Sequence, residues 1–306
     1  MEIRLRQPYS FCQIGKRGNQ EDARFPDTDM PQGVKPAFIV CDGVGGQEKG
    51  EVASATVAGS IGEYMSHVNL SEPFTENDFA KVLDHAYSSL NKRMNCETRA
   101  MATTMTFVCF HGDGVMCAHI GDSRIYHIRP GVGILYQSDD HSLVNSMVHS
   151  GNLTPEEAID HPQSNVITRC IGYVERKSER SSATTVQIRD LEAGDYFFLC
   201  TDGVIHQLDD NDLFEILSSD IPDKKKMEQI AEKSRLSSDN NTAYLIGIDE
   251  VISDSEEAGD VADSIENPQG STTVPLRTPE TYVREVAPSN QTAAEKISRY
   301  IKRFFN

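Results

Sequence analysis

Two Asp-Gly pairs in this chain follow directly on strand-like apolar runs. Ile39-Val40-Cys41 leads into Asp42-Gly43-Val44-Gly45-Gly46, and Phe197-Phe198-Leu199-Cys200-Thr201 leads into Asp202-Gly203. An apolar run that ends in a carboxylate places that carboxylate at the rim of a sheet. The glycine after it lets the backbone turn sharply and bring its carbonyl close to a ligand. Two such rims, far apart in sequence, can form two walls of one site for a hard cation, and oxygen-only donor sets suit Mg²⁺ or Mn²⁺. Asp122, in Gly121-Asp122-Ser123-Arg124, and Asp239, in Ser238-Asp239-Asn240, also stand at apparent strand ends. Upstream, Arg17-Gly18-Asn19-Gln20-Glu21-Asp22 sets a cation beside two carboxylates. Asp113-Gly114 is different: it reads as an ordinary hairpin turn between two strands.

The elements that must position these residues are legible between positions 1 and 250. Ala37–Cys41, Thr103–Phe110, Val115–Ile120, Ile125–Ile128, Thr184–Ile188, Tyr196–Cys200 and Ala243–Ile248 are short, apolar and rich in β-branched or aromatic residues. Glu51–Val68 and Asn77–Asn95 carry three-to-four-residue apolar spacing and read as long helices, with Ser71, Thr75 or Asn77 as N-cap of the second. Further helices are expected near Ser142–Gly151, Asp210–Ser219 and Lys224–Leu236. Strands and helices are grouped rather than strictly alternating, which disfavours a doubly wound parallel sheet. The pattern predicts an α+β fold, an antiparallel sandwich with helices on its outer faces.

Composition narrows the function classes. The net charge is −18 over 306 residues, which argues against a nucleic-acid partner. Seven cysteines with no CxxC spacing imply a reducing compartment without a disulfide framework. No secretory signal or stretch of about twenty apolar residues is visible, so the expected localisation is cytoplasmic. Near Val251 the composition shifts. Residues 251–292 are rich in Ser, Glu, Asp, Pro and Thr and read as an acidic disordered linker. Residues 293–306 place Ile297, Tyr300, Ile301 and Phe304 on one helical face, with Lys296, Arg299, Lys302 and Arg303 around it. This basic amphipathic segment is suited to an anionic membrane surface, a partner groove or the protein's own acidic body.

Taken in order, Arg17-xxx-Glu21-Asp22, Asp42-Gly-x-Gly45-Gly46, Ala102-Thr103-Thr104, Gly121-Asp122-Ser123-Arg124, Asp140-His141-Ser142, Thr168-Arg169-x-Ile171-Gly172, Thr201-Asp202-Gly203 and Asp239-Asn240-x-Thr242 closely resemble the metal-dependent Ser/Thr protein phosphatases of type 2C, in their compact bacterial form. The resemblance implies a four-layer αββα sandwich of two antiparallel sheets flanked by helices. It implies two divalent ions, Mn²⁺ or Mg²⁺, with a third in bacterial members. On this pattern Asp42 bridges two metals and the Gly43 carbonyl ligates one. Asp202 and Asp239 complete the first metal. Glu21 serves the second, with Asp22 the alternative if the register slips by one. Asp122 joins Asp202 at the third, and Arg17 grips the substrate phosphate.

The implied chemistry is in-line attack on a phosphoserine or phosphothreonine monoester by a metal-bridging hydroxide, with Arg17, Asp42 and Asp202 as the catalytic set. Metal lowers the pKa of its water from about 15.7 towards 7, and arginine supplies a two-pronged donor for phosphate. Val44 stands where animal members have a histidine, which leaves the general acid unassigned. His141 beside two aspartates reads as a structural hydrogen-bonder. Thr154, Pro155 and Glu157 read as N-cap, N1 and capping-box partner of a helix, where the family places a flap beside its active site. The expected partners are phosphoproteins, substrates of a Ser/Thr kinase, and the expected state is a monomer. A catalytically inactive phosphoprotein-binding regulator, and a phosphatase dedicated to one regulatory partner such as an anti-sigma-factor antagonist, are the alternatives.

Overall fold

The computed structural model describes residues 1–44, 49–93, 101–159 and 161–252. The proposed linker beyond Ile252 and the proposed C-terminal helix lie outside the described residues, as do Gly45 and Gly46 of the glycine-rich motif. In chain order the strands are β1 (Glu2–Leu5), β2 (Tyr9–Gln13), β3 (Ala23–Phe25), β4 (Ala37–Cys41), β5 (Gly43–Val44), β6 (Ala102–Thr103), β7 (Met105–His111), β8 (Gly114–Ile120), β9 (Arg124–Arg129), β10 (Gly133–Gln137), β11 (Ile171–Gly172), β12 (Thr184–Ile188), β13 (Tyr196–Cys200) and β14 (Asn241–Ile252). The helices are α1 (Gly50–Ser66), α2 (Glu76–Arg93), α3 (Leu143–His149), α4 (Pro155–Ile159), α5 (Asp202–Ile205), α6 (Asp210–Ser218) and α7 (Asp223–Ser234).

Two antiparallel sheets stack face to face. One runs β12-β8-β7-β4-β3; the other runs β1-β14-β13-β9-β10, with β2 also paired to β14. Between them lies a dry layer that includes Phe38, Val40, Val108, Phe110, Ile125, Phe197, Leu199, Tyr244 and Ile246. Alternation along each strand sends the intervening residues outward, and both outer faces are covered. Ile39, Cys41, Phe107 and Cys109 meet Val57, Ile61 and Met65 of α1 and Phe79, Val82 and Leu90 of α2. Tyr126, Phe198 and Leu245 meet Leu213 and Leu217 of α6 and Met227 and Ile230 of α7. These three apolar layers make the four-layer αββα sandwich. Burying one such Phe, Ile or Leu stabilises the fold by about 1.5–3 kcal/mol.

Strand pairing carries the site. Ala23 pairs with Cys41, so one further step along the same register sets Asp22 beside Asp42 and Glu21 beside Gly43. The Gly43 N–H duly donates to the Glu21 carbonyl at 3.1 Å. Val40 pairs with Thr106, which brings Asp42 level with Thr104, and Met105 pairs with Ile120, which brings Thr104 level with Gly121. In the other sheet Cys200 pairs with Arg124, so Asp202 and Asp122 emerge together. Asn241 pairs with Gln13, so Asp239 leaves β14 beside Gly15. Gly15 has a φ of +58°, and a Cβ there would strike the Asp239 carbonyl. Glycine permits both the left-handed turn and the close approach. All of these points lie at one end of the sandwich.

Helix termini follow the sequence signals. Thr75 caps α2, its Oγ1 accepting from the Asp78 N–H at 3.3 Å while Asp78 Oδ2 accepts from the Thr75 N–H at 3.2 Å. Thr154 and Glu157 exchange the same pair of bonds at α4, at 3.3 and 2.9 Å. Asp113 sits in the turn joining β7 to β8. The expected second helix ran to Asn95, which lies outside the described residues; its described part ends at Arg93.

Candidate active site

Each acidic residue singled out above is placed by its own strand end. Asp42 follows β4, and its main chain is pinned from three sides. Its N–H donates to Thr104 Oγ1 at 3.0 Å, and its carbonyl accepts from the Thr104 N–H at 2.8 Å and from Thr103 Oγ1 at 2.7 Å. Asp122 sits between β8 and β9, and Asp202 opens α5. Asp42, Asp122 and Asp202 are half-buried, each keeping an edge to solvent. Asp22 is buried, with Oδ2 accepting from Thr201 Oγ1 at 3.0 Å.

Glu21 comes close to Gly43 at the mouth of α1. A Cβ on Gly50 would sit 2.8 Å from both Glu21 Oε2 and the Gly43 carbonyl oxygen. The carboxylate and the carbonyl therefore share one small space, which only a residue without a side chain leaves free. Asn240 holds the opposite loop. Its Oδ1 accepts from the Glu21 N–H at 2.8 Å, and its Nδ2 donates to the Ile14 and Asn19 carbonyls at 2.9 Å. Arg17 lies in the loop so clamped, and its Nη2 donates to Asp239 Oδ2 at 2.5 Å.

The electrostatics are those of crowded like charges. Burial, then Asp22, Asp202, Asp122 and Asp239, push the Asp42 carboxyl well above the usual carboxylate range. Burial with Asp202 and Asp140 pushes Asp122 up to about 8. Asp22 also rises to about 8, raised by burial and by Asp202 and Asp239 against the hydrogen bond from Thr201. Burial raises Asp202 too, with His206 pulling the other way. Glu21 is raised by burial and by Glu51. Without a counter-charge this group holds protons it would otherwise shed.

These donors fit a divalent cation. Asp22 Oδ1 and Asp202 Oδ1 are buried with no hydrogen-bond partner, and an anionic oxygen left so is costly unless a cation answers it. Among the described residues, no trio of His, Cys, Asp or Glu side chains could hold an ion unaided. A divalent ion held here would therefore also need main-chain carbonyl and water oxygens as ligands.

His141 has both ring nitrogens engaged. Nδ1 accepts from the Gly121 N–H at 3.1 Å and Nε2 faces Thr184 Oγ1 at 2.9 Å. The ring stacks on His119 with centroids 4.4 Å apart. Burial, followed by His119 and Arg169, pushes its pKa down, so it stays neutral. Through Gly121 it braces the turn that carries Asp122, a structural hydrogen-bonding role of the kind its sequence setting suggested. Thr104, Ser123, Thr201 and Gly50 are site residues to which the sequence reading gave no role. Their motifs were visible, but their partners are decided by pairing across the fold.

The protein phosphatase 2C model matches residues 19–234. The protein phosphatase PhpP of Streptococcus pneumoniae (strain D39) is 31% identical over 242 residues, covering 77% of this chain and 94% of the relative. The crystal structure of the serine/threonine phosphatase Stp1 from Staphylococcus aureus superposes with a TM-score of 0.69 at 28% identity, over 82% of this chain and 98% of that one. The catalytic domain of the phosphatase PstP, described as in complex with 2 manganese ions, superposes with a TM-score of 0.65 at 25% identity, over 80% of this chain and 99% of that one. Fold and site together define a bacterial-type phosphoprotein phosphatase. The chain belongs to the protein phosphatase 2C family of Ser/Thr phosphatases.

Proposed function

We propose that this chain hydrolyses phosphoserine and phosphothreonine in proteins with Mn²⁺ or Mg²⁺ held by Glu21, Asp42, the Gly43 carbonyl, Asp122, Asp202 and Asp239. The observation that carries the proposal is the convergence of Asp42, Asp122 and Asp202 at the ends of paired strands, where Asp122 and Asp202 both raise the charge cost of Asp42. Divalent ions bound there would neutralise a phosphate dianion and make water a competent nucleophile near neutral pH.

The chain's own residues then have distinct tasks. Asp42 stands at the junction of the two halves of the cluster, with its backbone immobilised by Thr103 and Thr104. Asp202 faces both Asp42 and Asp239 and is the second fixed anion. Glu21 and the Gly43 carbonyl form the side nearest α1. Asp22, bonded from Thr201 and buried beneath the cluster, serves as a support more readily than as a ligand. Arg17 is half exposed, and moving off Asp239 would free its guanidinium for a phosphate.

In the same proposal residues 1–250 are the phosphatase domain, 251–292 an acidic linker and 293–306 a basic helix that meets a membrane surface or a partner protein. The family match over residues 19–234 supports the first of these. Phosphoprotein substrates, a monomeric state and a cytoplasmic setting complete the reading. Among the described residues no helix is long and apolar enough to cross a membrane. The deciding experiment is hydrolysis of a phosphothreonine peptide with Mn²⁺ and with EDTA. Turnover should require the metal; a folded protein with no metal-dependent turnover overturns the proposal.

A further inference from the structure

One pair of hydroxyls links the two sides of the carboxylate cluster. Thr104 Oγ1 and Ser123 Oγ lie 2.7 Å apart, and both residues are essentially sealed from water, at 1% and 0% exposure. Thr104 follows β6 and leads into β7, and the same hydroxyl accepts from the Asp42 N–H. Ser123 is the residue after Asp122 and the last before β9. The path from the Asp42 main chain to the Asp122 main chain therefore passes through one contact between two short, stiff side chains. The close packing of Gly121 against Thr104, where a Cβ would come within 2.6 Å of Cγ2, keeps the path tight.

We propose that Thr104 and Ser123 are positioning residues for the metal cluster. They fix Asp122 relative to Asp42, so that the ion held by Asp122 is set by the same frame as the ions held by Asp42. The inference rests on the metal assignment proposed above. Neither residue is among the proposed ligands. Their effect is to keep two mutually repelling carboxylates at a working separation, and loss of groups that orient ligands typically costs 10–100-fold in metal affinity.

The test titrates the full chain with Mn²⁺ alone by calorimetry, with free Mn²⁺ followed by electron paramagnetic resonance. Ser123→Ala should weaken the loosest class of Mn²⁺ sites about tenfold, matching Asp122→Ala in class though not in size, and leave the tighter class unchanged. Thr104→Val should weaken both classes, and Thr104→Ser, which restores the hydroxyl, should recover most of the loss. Should Thr104→Val fail to fold, Ser123→Ala and Thr104→Ser carry the test. A wild-type isotherm for Ser123→Ala, alongside a weakened one for Asp122→Ala, overturns the inference and spares the metal assignment. An isotherm unmoved by Asp122→Ala removes both.

Discussion

Arg17 Nη2 lies 2.5 Å from Asp239 Oδ2. A proposed phosphate-binding cation is thus paired with a proposed metal ligand, and each is held by the group that its own partner would replace. Under the proposed assignment, metal and guanidinium would compete for one carboxylate. Arg17→Ala should therefore tighten Mn²⁺ binding a few-fold while raising KM for a phosphopeptide roughly tenfold, as loss of one charge-assisted hydrogen bond would. Calorimetry and steady-state kinetics on the same preparation check both. If Mn²⁺ affinity fell instead, the competition would be excluded.

Asp42→Asn and Asp122→Ala should separate in size. Asp42 borders Asp22, Asp202, Asp122 and Asp239 at once, and metal charge stabilisation is worth several kcal/mol. Asp42→Asn should cut kcat by roughly 10³-fold or more. Asp122 sits to one side, against Asp202 and Asp140, and its loss should mainly raise the Mn²⁺ concentration needed for half-maximal rate. Equal losses in the two variants would contradict the division of labour.

The metal-free protein should lose stability as pH rises. Asp22 and Asp122 are pushed up to about 8 in the fold, against about 3.9 in an unfolded chain. Between those values the folded state binds more protons than the unfolded one, so stability falls across that window. Melting in EDTA should give a lower Tm at pH 8 than at pH 5, and Mn²⁺ should raise Tm more at pH 8. A metal-free Tm that rose over this range would contradict the placement of these carboxyls.

Asp195 offers a control at the far end of β13. It is fully buried and accepts from His127 Nε2 at 2.9 Å and from Arg129 Nε at 2.8 Å. Burial alone would raise its carboxyl, but these bonds from His127 and Arg129 hold it well below the usual range. Its stabilisation is present above the ordinary carboxylate pKa and is lost as pH falls through the lower folded value. Asp195→Ala should cost about 3–5 kcal/mol, as breaking a buried ion pair does. The Mn²⁺ requirement of what remains folded should be unaltered; denaturant melts and metal titrations distinguish the two effects.

What could be read in the sequence follows burial for most strands, with β12 the exception, half-buried throughout yet legible from its β-branched Thr184, Thr185, Val186 and Ile188. β4, β7, β8 and β13 are buried at every position; β4 and β13 appear as unbroken apolar runs, and β7 and β8 as apolar runs interrupted only by Thr106, His111 and His119. β1 alternates exposed and half-exposed residues, and β10 is half-exposed or exposed throughout, so neither carries a core signature. The two-residue ladders β5, β6 and β11 are too short for any periodicity. The carboxylates were visible because an Asp after an apolar run is conspicuous. The Asn240 clamp and the Thr104–Ser123 pair were not, because each is a tertiary contact, across 226 positions for Asn240 to Ile14 and across 19 for Thr104 to Ser123, set by strand pairing rather than by local pattern. The Arg17–Asp239 pair spans 222 positions and was hidden for the same reason.

β14 begins at Asn241, two residues past Asp239, and runs unbroken for 12 residues to Ile252. At about 3.3 Å per residue, it carries the backbone roughly 40 Å away from the carboxylates. Ile252, the last described residue, thus stands toward the pole opposite the chemistry. Under the proposed domain division, a body bound by the residues that follow would meet the molecule on that side and leave its catalytic pole facing outward.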